Sequence, residues 1–439
     1  MLIINAKLRP LSVFVALAGT VMYSNVSVAD VNTTSTQANG SVLDLSANPD
    51  ANIYAVNSSG AYVLRAYSGG TLVDDQNVLK EIYSDSRNGL SAEAGSKVVF
   101  DGTISDITIT TGVISTVSTD GTSVTTTPSS GNGIGVLSKG AGSSVTLNRN
   151  ITVITNGALS SGVDAEAGGD VLIKGSTKIN SAGTGVAVTG DSKVNLSGGA
   201  DITSTKEAVY ANEGSEVAIG NSSTRSTLTT TSASNLILLE GPATDGALSF
   251  INSELSIATG NAVKVTGGDW VSTFVDTNIT GDMNVDSGAK LDTAMTNSEF
   301  TGKANGDIKL QATGSTWNMT DSSTITSLQM TNSSVKFATP TGTTYNRVLT
   351  TGSLSGSGDF YIHTELNEGG AGTNSDQIHV TGDAEGNHRL FVSAHGNGAY
   401  TVDDGIKVVQ IDGNSTSQFT LGNGNYVSMG AFDYYLYVR

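Results

Sequence analysis

Two neighbouring stretches, GVDAEAGGDVLIKGS from Gly162 and GVAVTGDSKVNLSGG from Gly185, decide the fold. Each places an alternating apolar strand, a Gly-rich corner and a second alternating strand in the same order, 23 positions apart. Val171–Ile173, Val194–Leu196 and, one unit on, Val217–Ile219 follow the period of two that buries every other side chain of a strand. Related units start at Gly89, Gly133, Ala208, Leu236, Ala262, Val285 and Ile308, with most starts 23 to 29 positions apart and 44 between Gly89 and Gly133. A coil of about 23 residues holding three short strands closes one turn of a parallel β-solenoid, whose coils stack like strand on like strand. About ten such coils, at ~4.8 Å each, predict a rod of ~50 Å. One coil cannot bury its apolar face alone, so stability is summed over coil–coil interfaces.

Composition agrees with an all-β chain. The 439 residues include 53 Gly, 5 Pro and no Cys, and only 14% are charged. Ser, Thr, Asn and Gly compete with helix and favour strands and turns. The net charge of −18, with 22 basic residues against 40 acidic ones, argues against nucleic-acid binding, which needs clustered Lys and Arg. A β-sandwich array is the competing architecture, but its modules carry longer strands and more aromatics. Disorder is a third reading, local to the Ser/Thr-rich stretch Thr108–Ser130.

Residues 1–29 read as a secretory signal peptide: Lys7 and Arg9, the apolar run Leu11 to Met22, then Ser27-Val28-Ala29 as a small-residue cleavage site. The run is shorter than the ~20 apolar residues that span a membrane. An exported chain without cysteine needs stability from large repetitive burial. Residues 30–88, with Tyr54, Tyr62, Tyr67 and Tyr83, are expected to be an N-terminal cap or irregular first coils, because an open strand edge invites aggregation. Residues 89–314 are the coils, and 315–439 a C-terminal cap region in which Trp317 plugs the core end.

From Trp317 onward the chain resembles the C-terminal passenger region of pertactin-like autotransporters of the type Va (classical) group. The matching residues are Trp317, Ser323 and Leu328, then Leu354, Gly356, Gly358 and Phe360, then Asp376 and Val380. Gly386, Leu390 and Val392 follow, with a strand at Phe419–Leu421 and then Gly430, Phe432, Tyr434 and Leu436. The resemblance implies a right-handed β-helix passenger that is exported through the inner membrane, crosses the outer membrane and is displayed or released outside. It also implies that Trp317, Leu328, Leu354, Gly356, Gly358, Phe360, Asp376, Val380, Leu390, Phe419, Gly430, Phe432, Tyr434 and Leu436 form an autochaperone that folds first and templates the coils. The family places a translocator barrel after this region. The sequence ends at Arg439, so the expected location is the cell surface if a barrel follows and the periplasm if the chain stops there.

No chemistry-bearing pattern competes with this reading. Gly190-Asp191-Ser192 looks like a serine-protease nucleophile motif, yet it sits in a repeat corner and no His precedes His363. His363, His379, His388 and His395 are spaced 16, 9 and 7 apart, which fits no zinc pattern, and are expected as two strand and two turn histidines sharing no face. Asp164, Glu166, Glu207, Glu213, Glu216 and Asp269 are the carboxylates that could serve a glycan-cleaving site, with solvated corner charge as the simpler reading. Gly131–Gly135 and Gly356-Ser357-Gly358 lack the Lys-Ser/Thr pair of a phosphate loop. The Asn-X-Ser/Thr triplets at Asn57, Asn221, Asn278 and Asn332 are expected by chance in such a composition. No catalytic residue, metal or cofactor is therefore expected.

The expected function is that of a non-enzymatic adhesin or aggregation factor, binding multivalently through polar corners, with Thr108–Ser130 as the first contact loop. Its partners would be a host or bacterial surface molecule and the outer-membrane export machinery. A passenger enzyme acting on glycans or lipids, and an inert spacer, are the alternatives.

Overall fold

The computed structural model describes residues 31–438 except 46–51, 58–61, 76–77, 103–105, 120–121, 243–245, 340–341, 343, 371–372 and 403–404. The leader expected at residues 1–29 lies outside them. Within them the chain winds into a parallel β-helix with three sheet faces. Ile151–Thr155 belongs to the first face, Ser161–Glu166 to the second and Asp170–Ile173 to the third. Each strand pairs in parallel with its counterparts on the coils before and after it. Parallel pairing throughout the stack removes the sandwich alternative, whose sheets are antiparallel.

Alternation puts one side-chain column per face into a common spine. On the first face Ile109, Val153, Ile179, Ile202, Leu228, Leu255 and Ile279 stack rung on rung. On the second, Leu64, Leu90, Val136, Val163, Val186, Val209, Ile237 and Val263 do the same. On the third, Phe100, Leu147, Ile173, Leu196, Ile219, Phe250 and Phe274 stack, with the last two rings 5.7 Å apart. All of these are buried, and each fully buried aliphatic side chain is worth roughly 1.5–3 kcal/mol.

The stack is longer than the ten coils read from the sequence. The first face carries sixteen successive rungs among the described residues, from Val31–Asn32 to Gln418–Leu421, or roughly 70 Å. Residues 31–84 supply its first three rungs in register with those that follow. Trp317 does not plug an end. It is buried mid-column between Phe300, at 5.7 Å, and Val335, and Phe360, Leu390 and Leu421 lie beyond it. Its indole N–H is satisfied by the Gly302 carbonyl at 2.9 Å, as a buried Trp requires.

Two kinds of corner hold the coils in step. Between the second and third faces, Ala94-Gly95, Ala167-Gly168, Gly190-Asp191 and Glu213-Gly214 all take positive φ at both residues, the geometry of a tight primed turn. The next residue is often a buried serine. Ser96, Ser143 and Ser192 each accept the amide of a glycine on the preceding coil, Gly69, Gly95 and Gly168, at 3.0 Å. Between the third and first faces, Asn252, Asp276, Asn297, Gly314 and Asn332 adopt positive φ, each followed by a buried hydroxyl: Ser253, Thr277, Ser298, Ser315 and Ser333. The amides of Ser253, Thr277, Ser298 and Ser315 donate to the hydroxyl one rung on, at 3.3, 3.0, 3.1 and 3.1 Å. Every one of those hydroxyls donates in turn to a carbonyl two residues earlier, so the buried polar ladder is closed.

Candidate interaction site

Val113–Val117 and Val124–Pro128 leave the rod as a two-stranded antiparallel hairpin between the first and second faces. Its Val-Thr strands have high β propensity, and Gly112, at φ 71°, turns the chain out of the rung. The Ser129 amide closes the base on the Gly112 carbonyl at 2.7 Å, and the Ser129 hydroxyl donates to Asp85 at 3.0 Å. Asn57 clamps one edge: its carbonyl oxygen accepts the Ser115 amide at 2.9 Å, and its amide nitrogen donates to the Ser115 carbonyl. The other strand is free, with Thr125 to Pro128 exposed, and Ile114 is 52% exposed. The stretch to which the alternative reading of local disorder applied is thus paired on both sides of residues 120–121. The expected loop Thr108–Ser130 also divides, because Ile107–Thr111 is a rung of the first face.

The carboxylates considered for catalysis mostly stay apart. Glu216 pairs with Lys193 at 2.8 Å and Asp269 with Lys290 at 3.2 Å, both exposed, while Glu213 lies in a corner. Asp164 and Glu166 do share the outer side of one strand. Glu166 is paired with Lys139 at 2.6 Å. Asp164 stands between Leu137 and Ala187 of the adjacent rungs, 7% exposed, with Oδ1 unbonded. Burial, and then the neighbouring Glu166 charge, push its carboxyl up to about 8. Ser192 is a corner hydroxyl, buried, donating to the Thr189 carbonyl at 2.7 Å.

The C-terminal residues named from the sequence fall into three groups. Leu328, Leu354, Phe360, Val380 and Leu390 join the buried spine with Trp317, and Phe419 and Leu436 pack against it partly buried. The glycines sit where a side chain would collide: a Cβ on Gly356, at φ 87°, would lie 2.0 Å from the Met330 carbonyl oxygen, and one on Gly358 would lie 2.4 Å from Met330 Cε. The third group is polar or exposed. Buried Asp376 accepts the amides of Arg347 and His363 and meets His363 Nδ1, each at 3.0 Å. The Tyr434 hydroxyl, on a hairpin turned at Gly430, exchanges two bonds of 2.7 Å with the Ala399 backbone, while Phe432 is 37% exposed.

The histidines differ from expectation, because all four lie on strands and two meet. The rings of His363 and His395 lie 5.9 Å apart, and both stack on Tyr345. His379 faces solvent and bonds Asp412 at 2.8 Å. His388 is buried between Phe360 and Phe419, with Nε2 3.2 Å from the Glu385 carbonyl, and burial lowers its pKa. Among the described residues no group of three His, Cys, Asp or Glu is placed to hold a metal ion.

Comparisons with known proteins meet this geometry at the C-terminal rungs. The Pertactin family model matches residues 325–438. The Probable autotransporter YpjA of Escherichia coli K12 is 43% identical over 93 residues, 21% of this chain and 6% of that protein. The BrkA autotransporter of Bordetella pertussis is 26% identical over 374 residues, 73% of this chain and 36% of that protein. The chain therefore spans about a third of BrkA's length and a small part of YpjA's. The crystal structure of the Haemophilus influenzae Hap adhesin aligns over 93% of this chain and 58% of its own, at a TM-score of 0.33 and 12% identity. With its unbroken parallel rungs, its Pertactin match over residues 325–438 and these two curated relatives, the chain is similar to autotransporter passengers, and its last quarter to Pertactin.

Proposed function

We propose that this chain is a non-enzymatic adhesin or aggregation factor, exported across the cell envelope, that holds the Val113–Pro128 hairpin out from a rigid rod as its contact element. The observation that carries the reading is the hairpin itself. It leaves the corner after the first face as a paired hairpin, is fastened at base and edge, and presents one strand with its side chains exposed. Thr hydroxyls on a fixed strand offer hydrogen bonds at low ordering cost, and many rods on one surface multiply weak contacts. Deleting residues 113–128 and joining Gly112 to Ser129 should abolish binding of the displayed chain to a cell and matrix panel and leave the melting temperature within a few degrees of the parent. Unchanged binding removes the hairpin from the account; absence of binding by the parent favours a spacer.

The second part of the proposal assigns the C-terminal rungs the role of folding template for export. It is supported by continuous strands there, Ser323–Phe337 and Val348–Glu365, that turn corners without a break. Parallel pairing is slow to nucleate, and adding coils to a formed end avoids that step. Phe360→Ala should slow refolding of the whole chain by most of its stability loss, whereas Leu90→Ala should chiefly speed unfolding. Equal effects of the two on the refolding rate would contradict the assignment.

A further inference from the structure

The outer side of the first face carries a second feature, several rungs beyond the hairpin. Asn318, Lys336, Tyr361 and Phe391 stand in register on four consecutive rungs, and His363 and Ser393 stand in register two positions along. Between the two rows runs a groove of about 500 Å³, within the range of small-ligand sites. Its walls are fixed. The Tyr361 and Phe391 rings stack at 4.6 Å and 9°, and the Lys336 ammonium lies 5.7 Å from the Tyr361 ring centre. His363 is held through Nδ1 by buried Asp376, which leaves Nε2 to meet a ligand.

The charge of this groove runs against that of the molecule. The chain bears 40 acidic residues and a net charge of −18, yet none of the residues lining the groove is Asp or Glu, while Lys336 is among them. An ammonium at the rim of a groove whose neighbouring carboxylates are already engaged, Glu299 by the Asn318 amide and Asp376 by His363, suits an anion. The anion is not a phosphate by its chemistry. Phosphate sites use guanidinium forks or converging backbone amides, and the nearby Arg389 already gives its fork to Asp359, with two bonds of 2.7 Å. One ammonium, one imidazole, a hydroxyl and an amide beside two aromatic edges match a single carboxylate on a ring that also offers hydroxyls and an apolar face. We propose that this groove binds a carboxylate-bearing sugar. Lys336 takes the carboxylate, His363 Nε2 accepts from a ring hydroxyl, Ser393 and Asn318 take further ring hydroxyls, and Tyr361 and Phe391 pack on the ring carbons.

The site is separate from the hairpin, so either can fail without the other. The test is calorimetric titration of the full chain with 3′-sialyllactose, a galacturonate trimer and lactose. The expected result is saturable binding of at least one acidic sugar, with lactose at least about tenfold weaker. Preference for the sialylated probe marks a terminal acid as the natural ligand, and preference for the galacturonate marks an in-chain acid. Lys336→Met should weaken the acidic sugar about tenfold or more, Lys336→Arg should retain most of the affinity, and Phe391→Ala should weaken it as well. Both Lys336 variants change an exposed side chain, and their melting curves should overlay the parent's. Equal affinity for lactose, an unchanged affinity in Lys336→Met, or no saturation by either acidic sugar at millimolar concentration would overturn the proposal.

Discussion

Replacing Arg149 by Met should cost about 3–5 kcal/mol. Arg149 lies in a corner between the third and first faces, and its guanidinium reaches back to Asp74, Nη1 to Oδ2 at 2.7 Å, with both side chains fully buried. Nη2 also donates to the Leu79 carbonyl. Asp74 in turn holds the turn after its strand, accepting the amides of Val78 and Leu79 at 2.9 Å. Burial lowers the Arg149 pKa, against the pull of the Asp74 charge. Removing one partner leaves a carboxylate in an apolar spine with two amides in place of a counter-ion. Asp74→Asn in the same chain removes that charge and keeps an acceptor for the turn, so the double variant should recover at least half of the loss. The measurement is native-state hydrogen exchange together with denaturant unfolding. In a stack of near-independent rungs the damage should concentrate in the strands from Thr71 to Thr155. A loss below about 1 kcal/mol, or no recovery in the double variant, would sink this account of the pair.

That pair is not legible in the sequence, whereas the spine is. Alternation made the spine legible, since Val171, Ile173, Val194, Leu196, Val217 and Ile219 are all buried in matching registers. Arg149 gives no such signal. In the run Leu147-Asn148-Arg149-Asn150 it reads as a solvated corner charge, and its partner is 75 positions away in sequence. The number of rungs was hidden for a different reason. The distance between corner hydroxyls contracts from 27 residues at Ser226 to Ser253, through 24 and 21, to 17 and 18 at Ser298, Ser315 and Ser333. The shorter coils bend one continuous strand, Ser323–Phe337, around the rod, so Asn or Gly marks only the corner between the third and first faces. The corner dipeptides themselves were on the page: Asn252-Ser253, Asp276-Thr277, Asn297-Ser298, Gly314-Ser315 and Asn332-Ser333. In the sequence Asn332 reads as a chance glycosylation triplet, because nothing local shows that its φ is positive or that the next hydroxyl is buried. The groove beside Lys336 was equally out of reach. It exists only because Lys336, Tyr361 and Phe391, 25 and 30 positions apart in sequence, fall into one column.

A stability that falls as pH rises is the second large effect expected, and it comes from Asp164. Its folded-state carboxyl is pushed up to about 8 from an ordinary 3.8, so the folded chain keeps a proton that the unfolded chain has already lost. The contribution is fully present below about pH 4 and is lost progressively as pH climbs through 8, at ~1.4 kcal/mol per pH unit within that window. Asp164→Asn has nearly the same shape and no ionisation to suppress. It should match or exceed the parent's stability at pH 5, lead by several kcal/mol at pH 8, and gain nothing further above that. His388 works in the opposite direction. Its pKa is lowered by burial, so its contribution is present above about 6.5 and is lost as pH falls through the depressed value. Because parent and variant share His388, it cancels in the difference between their denaturation curves at each pH. A difference that stays constant from pH 5 to pH 8 would mean that Asp164 is already ionised in the folded rod, and that the side chains of Leu137 and Ala187 do not shield it from water.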